Sequence, residues 1–138
     1  MMYTHSGGVR SSRWHVVYYE DVHGHSEIFD FVDGRSDREK AKILALLVVL
    51  GEQGPQLPRP YADLLVDGIH ELRVKLGGDQ VRILYFFCYR DVIVLTNAFT
   101  KTTERVPVRE IETARKLRKD FLQRYDELSL RRVLHEDT

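Results

Sequence analysis

The stretch ELRVKLGGDQVRILYFF, Glu71 to Phe87, contains two apolar runs that meet at Gly77-Gly78. A Gly-Gly pair between two such runs favours a β-hairpin with a two-residue loop. This loop places Arg73 directly opposite Arg82 on the neighbouring strand. Like charges that are directly opposed on neighbouring strands destabilise a sheet, because their side chains nearly touch. The stretch therefore predicts an antiparallel hairpin, and the opposed cations on it require an explanation.

Polar and apolar side chains separate onto the two faces of the predicted sheet. If Tyr89-Arg90 is a second two-residue loop, Arg82 also faces Asn97 on the next strand. The polar face then presents Glu71, Arg73, Lys75, Gln80, Arg82 and Asn97. The apolar face presents Leu72, Val74, Val81, Ile83, Tyr85, Val94 and Thr96. We expect the helices to pack on the apolar face.

Two explanations of the opposed arginines remain open from spacing alone. In the first, Glu71 or a carboxylate of the last helix neutralises them in an internal ion-pair network. In the second, the cations bind a phosphate, because the planar fork of arginine matches phosphate oxygens.

The remaining chain predicts an α+β domain around this hairpin. Period-two patterns predict strands at Ile69–Leu76, Gln80–Cys88 and Val92–Phe99, with an earlier strand at Trp14–Tyr19. Helices are predicted after Ser26, after the capping box Ser36–Glu39 and from Pro107 onward. The order β-α-α-β-β-β-α indicates a small antiparallel sheet with helices packed on it. We expect residues 1–13 to be a flexible arm, 14–128 a single domain, and 129–138 a polar tail that frays.

Composition excludes several classes of protein. The 138 residues carry no formal net charge, so a nucleic-acid partner would need a local basic patch. The single cysteine, Cys88, excludes an internal disulfide framework and a four-cysteine zinc site. The longest apolar run, Ile43 to Leu50, is far below the ~18 residues that indicate a membrane span. We expect a cytoplasmic protein without a membrane partner.

A set of short motifs occurs in a fixed order along the chain. The motifs are Asp67-Gly68, Glu71-Leu72-Arg73, Gly77-Gly78, Val81-Arg82-Ile83-Leu84-Tyr85, Phe99-Thr100-Lys101, Pro107 and Glu110-Ile111 with Ala114. This ordered set resembles the RelE/HigB superfamily of type II toxin–antitoxin toxins, most closely its phage-derived, HigB-like branch. The resemblance covers about residues 14–125.

The resemblance implies an endoribonuclease that cuts messenger RNA on the ribosome and is neutralised by a cognate helix-turn-helix antitoxin. It implies no metal and no cofactor, because the ribose 2′-hydroxyl attacks the neighbouring phosphate. Preorganised cations that face the developing negative charge supply much of the rate gain in such a reaction.

The resemblance also assigns roles to individual residues. Arg82 matches the recurrent catalytic arginine and would hold the scissile phosphate. Arg73, Lys75 and Lys101 match basic positions that would bind phosphate or transfer a proton. Gln80, Asn97 and Arg105 are expected to contact RNA. No general base is assigned, because His70 alternates to the face opposite Arg73.

Two other functions stay open beside the ribonuclease. One is a non-enzymatic toxin like those of the ParE branch, which bind DNA gyrase without cutting RNA. The other is an inactive phage remnant that only binds its antitoxin.

Overall fold

The structure is a computed structural model that describes residues 13–136 of the chain. All of the predicted arm except Arg13 therefore lies outside the described residues. The strands are β1 (His15–Tyr18), β2 (Ala62–Val66), β3 (Ile69–Leu76), β4 (Asp79–Cys88) and β5 (Val92–Thr100). The helices are α1 (Glu27–Asp33), α2 (Asp37–Gln53), α3 (Val108–Arg124) and α4 (Glu127–Glu136), with a short 3₁₀ turn at Gly54–Gln56.

The five strands form one sheet in the order β1-β5-β4-β3-β2. The loop at Gly77-Gly78 has two residues, with φ of 59° at Gly77. Arg73 consequently pairs with Arg82, and Lys75 pairs with Gln80. The predicted hairpin and its register are confirmed.

The α+β class is confirmed, but the sheet is mixed and not wholly antiparallel. β1 runs parallel to β5, with His15 opposite Val92 and Tyr18 opposite Leu95. This corrects the predicted antiparallel sheet. The chain can make this parallel connection because two helices and three other strands separate β1 from β5.

The second loop differs from the prediction and shifts the register of β5. Cys88 pairs with Val92, so the loop holds three residues, of which Tyr89 and Arg90 have positive φ. A bulge between Ile83 and Tyr85 adds a further shift. Arg82 therefore faces Phe99 and not Asn97.

Helices cover both faces of the sheet, although the sequence predicted them on one. α1 and α2 pack on the predicted apolar face, whose buried core includes Ile28, Ile43, Leu47, Leu50, Leu72, Val74, Ile83 and Tyr85. α3 and α4 pack on the other face, whose core includes Ile69, Leu84, Phe86, Val94, Ala114, Phe121, Leu130 and Leu134. Val94 was predicted on the first face, and the register shift of β5 moves it to this one. The central strands are thus buried on both sides, which explains their nearly continuous apolar sequence.

The polar tail predicted at 129–138 is a helix over its described part. Asp126 begins α4, because its Oδ1 accepts a hydrogen bond from the backbone N–H of Ser129 at 2.8 Å. Leu130 and Leu134, four residues apart, are buried against the sheet. The segment therefore forms a capped helix that packs on the sheet, where the sequence predicted a polar tail.

The helix starts follow the predicted caps. The Ser26 hydroxyl accepts a hydrogen bond from the N–H of Phe29 at 3.1 Å, and the Ser36 hydroxyl accepts one from Glu39 at 3.3 Å. Across residues 13–136, the structure contains no helix with the length and apolar character that crossing a bilayer requires.

Candidate functional site

A buried ion pair joins β3 to β4, and one of the two opposed arginines, Arg82, is a member of it. Glu71 Oε1 lies 2.8 Å from Arg82 Nε, and the two residues expose only 3% and 7% of their surface. Arg82 also donates a hydrogen bond from its Nη1 to the carbonyl oxygen of Val81 at 3.1 Å. The guanidinium is thus enclosed by protein groups and neutralised by one of them.

The opposing arginine shares the same carboxylate. Arg73 Nη2 lies 3.4 Å from Glu71 Oε2 and 3.4 Å from Asp63 Oδ2 on β2. Asp63 also pairs with Arg59 at 2.8 Å. Two carboxylates, Glu71 and Asp63, are therefore shared among three arginines.

These contacts decide between the two explanations that the sequence left open. The internal ion-pair network through Glu71 is present. Glu71 compensates the charge of Arg82 inside the sheet. The expectation that Arg82 presents a free guanidinium to a phosphate is therefore corrected. The physical reason is that a buried guanidinium is tolerated only with a nearby counter-charge.

A groove of about 620 Å³ runs along the part of β3 that extends beyond β2. One wall is α2, and the other is formed by the connection before β2 and the ends of β3 and β4. It is lined by Lys42, Ala45, Leu46, Val49, Pro60, Tyr61, Arg73, Val74, Lys75, Gln80 and Arg82. Four of the predicted site residues thus reach one groove: Arg73, Lys75, Gln80 and Arg82.

Two lysines give this groove its uncompensated positive charge. Lys42 and Lys75 are exposed, and neither forms an ion pair with a carboxylate among residues 13–136. Lys42 Nζ instead donates a hydrogen bond to the backbone carbonyl of Lys75. Arg82 is paired with Glu71, and Arg73 shares Glu71 and Asp63 with other arginines, so the attraction for an anion comes from the two lysines together with the partly exposed Arg73.

Lys101 extends this charge across the end of the sheet. Its backbone N–H donates to the carbonyl of Gln80 at 2.7 Å, and Gln80 in turn pairs with Lys75 on β3. The row Lys75, Gln80 and Lys101 crosses three successive segments at the sheet end. Lys101 and Arg105 do not line the groove itself.

Asn97 takes a structural position that differs from its predicted one. It is 2% exposed, and its Nδ2 donates to the backbone oxygen and the Oε1 of Glu110 at 3.2 and 3.1 Å. Its Oδ1 accepts from the Thr96 hydroxyl at 2.7 Å. Asn97 therefore joins β5 to the start of α3, away from the lysine row. Arg105 is exposed in the loop between β5 and α3.

Few groups in the groove can transfer a proton. His70 does not line the groove; on the face of β3 opposite Arg73, its ring stacks on Tyr85 at 5.2 Å, and burial lowers its pKa. Cys88 is half-buried, and burial raises the pKa of its thiol to about 12, so it is not a nucleophile. Tyr61, which lines the groove and is half exposed, contributes the only phenolic hydroxyl there.

Sequence reasoning missed β2, and with it Asp63 and the position of Tyr61. The overlooked signal was Asp67-Gly68, since Asp-Gly between apolar runs is a strong hairpin signal. Both residues have positive φ, 53° and 75°, and Val66 pairs with Ile69 across them.

Within residues 13–136, no three histidine, cysteine or acidic side chains cluster in a way that could hold a metal ion.

A family model described as Phage derived protein Gp49-like (DUF891) matches residues 30–119. The match spans 90 of the 138 residues and runs from α1 into α3, so it contains the groove and the Glu71–Arg82 pair. None of the curated proteins matches the chain significantly.

Proposed function

Because the chain belongs to the Gp49-like family of phage-derived, toxin-like proteins, we propose that it is the toxin of a type II toxin–antitoxin system. In this proposal it is of the HigB-like branch, cuts messenger RNA on the ribosome in the cytoplasm without a metal, and is neutralised by a cognate helix-turn-helix antitoxin. The observation that supports it is the groove beside β3, with Lys42 and Lys75 uncompensated at its rim.

The lysines provide what an RNA backbone needs. Each phosphate carries a negative charge, and lysines that contact phosphates release condensed counterions on binding. Lys75 and Lys101 lie at two ends of one row across the sheet, with Gln80 between them. A single strand can therefore contact successive cations along this edge. The protein's zero net charge makes this local patch the main source of attraction.

Arg82 receives a different role from the one that the family resemblance assigned. Its guanidinium holds Glu71, and Glu71 holds Arg73 at the groove. Arg82 is thus a positioning residue for Arg73, whose side chain remains 33% exposed. Arg73 and Lys75 are the groups that would contact the scissile phosphate.

The chemical step is an attack of the ribose 2′-hydroxyl on the adjacent phosphorus. The hydroxyl loses its proton, a cyclic phosphate forms, and the 5′-oxygen of the next nucleotide leaves and gains a proton. Positioned acid and base groups typically contribute ~10²–10⁴-fold to such a reaction. Tyr61 and Lys75, which both line the groove, are the candidates for these proton transfers.

The test is controlled expression in cells that lack the antitoxin, followed by primer-extension mapping of messenger RNA. We expect wild type to arrest growth and to cut transcripts within translated codons. Lys75→Ala and Tyr61→Phe should each lose cutting while the protein stays folded. The matched control is Lys116→Ala, an exposed lysine on α3 outside the groove, which should behave as wild type. Normal growth with intact transcripts in wild type would refute the proposal.

A second candidate, a non-enzymatic toxin that binds DNA gyrase, is favoured by the neutralisation of Arg82. A ribonuclease that used the matched arginine directly would have to expose it, whereas a binding protein can bury it. The same expression experiment separates the two candidates. Growth arrest with intact transcripts, together with inhibited gyrase supercoiling by the purified protein, would support the binding toxin. The antitoxin-only remnant predicts no growth arrest.

A further inference from the structure

The outer side of α2 is apolar over its central turns, although it faces solvent. The inner side is buried through Ile43, Leu47 and Leu50. The outer side carries Ala41, Leu44, Ala45 and Val48 in exposed positions. Leu44 keeps 36% and Val48 keeps 45% of its surface exposed. The exposed turns also carry one charged residue, Lys42, beside this apolar surface.

Two exposed residues of opposite charge flank these turns at equal distances. Arg38 and Glu52 each lie seven residues from Ala45 along the helix. Neither forms an ion pair with another residue of the described chain. At 100° per residue, Arg38, Ala41, Ala45, Val48 and Glu52 fall within an arc of about 80°. They form one stripe, with a cation at its start and an anion at its end.

The stripes of two antiparallel α2 helices are complementary in charge. If two copies of α2 pack antiparallel about a two-fold axis at Ala45, Arg38 of one protomer lies opposite Glu52 of its partner. The same contact recurs on the other side of the axis. The small side chain of Ala45 allows the helices to approach, and Leu44 and Val48 cover apolar surface on both copies.

We propose that the protein forms a homodimer through antiparallel packing of α2 on α2. The symmetry of the charges identifies a second copy as the occupant, because an isologous interface requires the same patch to match itself. An unrelated partner would not require Arg38 and Glu52 to be equidistant from the centre. Ala45 also lines the groove, so this interface and the proposed RNA site share part of α2. The measurements that test the dimer do not involve RNA, so the two proposals can fail separately.

The first test is analytical ultracentrifugation of the full chain over a concentration series. We expect wild type to sediment as a dimer and Val48→Glu as a monomer, because two carboxylates would enter the apolar centre. Val22→Glu is the matched control, since Val22 is 67% exposed but lies in the loop before α1. It should remain dimeric. Circular dichroism should show that all three proteins are folded.

The second test exchanges the flanking charges. Arg38→Glu and Glu52→Arg each replace two attractions with two repulsions, and each should weaken dimerisation about tenfold. Mixing the two variants should restore dimers, because each protomer then offers the charge that the other lacks. The double variant should also dimerise.

Three results would overturn the proposal. One is a wild-type protein that is monomeric even at millimolar concentration. Another is a dimer that Val48→Glu leaves intact, which would place the interface elsewhere. The third is a mixture of the charge variants that stays as weak as either variant alone.

Discussion

Glu71 Oε1 lies 2.8 Å from Arg82 Nε inside the sheet, and the other oxygen of Glu71 lies 3.4 Å from Arg73. One buried carboxylate thus serves two arginines that face each other across β3 and β4. A phosphate that approached Arg82 would have to displace Glu71, and the displaced carboxylate would keep only its longer contact with Arg73. The charge relationship therefore supports the positioning role that we propose for Arg82, whereas Arg73 and the lysines keep exposed surface.

Truncating either member of this pair should destabilise the protein strongly. We expect Glu71→Ala to lower the free energy of unfolding by about 3–5 kcal/mol, because it leaves Arg82 as an uncompensated buried charge. Arg82→Ala should cost somewhat less, because Arg73 still faces Glu71. Urea denaturation monitored by circular dichroism measures the loss.

The matched control replaces both members with apolar groups of similar size. The double variant Glu71→Leu/Arg82→Met should cost much less than either truncation, because no buried charge remains. If each single truncation cost less than about 1 kcal/mol, the pair would not be buried as described. An inactive Arg82→Ala protein is informative about catalysis only if its fold is intact.

Gly54 should tolerate no side chain. It has φ of 54°, and a Cβ atom there would lie 2.7 Å from Cε2 of the Trp14 indole. Trp14 cannot retreat easily because its ring packs edge-on against Phe87 at 5.0 Å. We expect Gly54→Ala to lower the melting temperature and to cost about 3 kcal/mol of unfolding free energy.

Gly77→Ala is the control for the backbone effect alone. Gly77 has φ of 59°, but a Cβ atom there would meet nothing within 4 Å. Gly77→Ala should lower the free energy of unfolding by about 1 kcal/mol, because only the left-handed backbone conformation opposes the new side chain. Equal losses for the two variants would mean that Trp14 does not restrict Gly54.

The contact between Tyr19 and Asp120 should give a pH-dependent contribution to stability. The Tyr19 hydroxyl donates to Asp120 Oδ2 at 2.6 Å. This hydrogen bond, together with Arg124, lowers the pKa of Asp120, whereas burial and then Asp120 raise the pKa of Tyr19 to about 12. Tyr19→Phe should cost about 1 kcal/mol at neutral pH, because Asp120 is partly exposed and solvent screens the interaction.

The sign of this dependence follows from the lowered pKa of Asp120. A depressed pKa in the folded state stabilises the protein above the unfolded pKa, and the gain is lost as pH falls through the folded pKa. The difference between wild type and Tyr19→Phe should therefore shrink below pH of about 4. Urea titrations at several pH values measure it. A difference that stayed constant down to pH 2, an extreme well below the usual Asp pKa of about 3.9, would contradict the assignment.

Removal of a groove lysine should weaken RNA binding in a salt-dependent manner. We expect Lys75→Ala and Lys42→Ala each to reduce the slope of log K against log salt by about 0.7 for a single strand. Fluorescence anisotropy with a labelled oligoribonucleotide measures the slope. Lys116→Ala, outside the groove, should leave it unchanged. An unchanged slope for both groove variants would show that the groove does not hold the backbone.

Local signals in the sequence were sufficient to predict the central hairpin and the two arginines that oppose each other on it. Gly77-Gly78 fixes the register that brings Arg73 opposite Arg82, and Ser26 and Ser36 mark the starts of α1 and α2. These features depend on residues that are close in the chain. The position of Glu71 beside both arginines follows from the same register.

The remaining features depend on contacts between distant residues or on loop geometry. Tyr89 and Arg90 adopt positive φ, which their residue types do not favour, so the three-residue loop and the shift of Asn97 were not predictable. The parallel pairing of β1 depends on the finished sheet. Asp63 enters the site only because β2 forms. The short apolar run of β2 was a weaker strand signal than the Asp67-Gly68 turn beside it.

The parallel alignment of β1 with β5 has a consequence for how the protein is made. His15 pairs with Val92, 77 residues later in the chain, so the first strand to leave the ribosome has no partner until the last strand has been synthesised. Closing so long a segment is slow, because its entropy must be lost before the pairing can compensate. Nascent chains that stop before β5 would therefore expose an aromatic, β-branched strand, which makes them targets for chaperones and proteases.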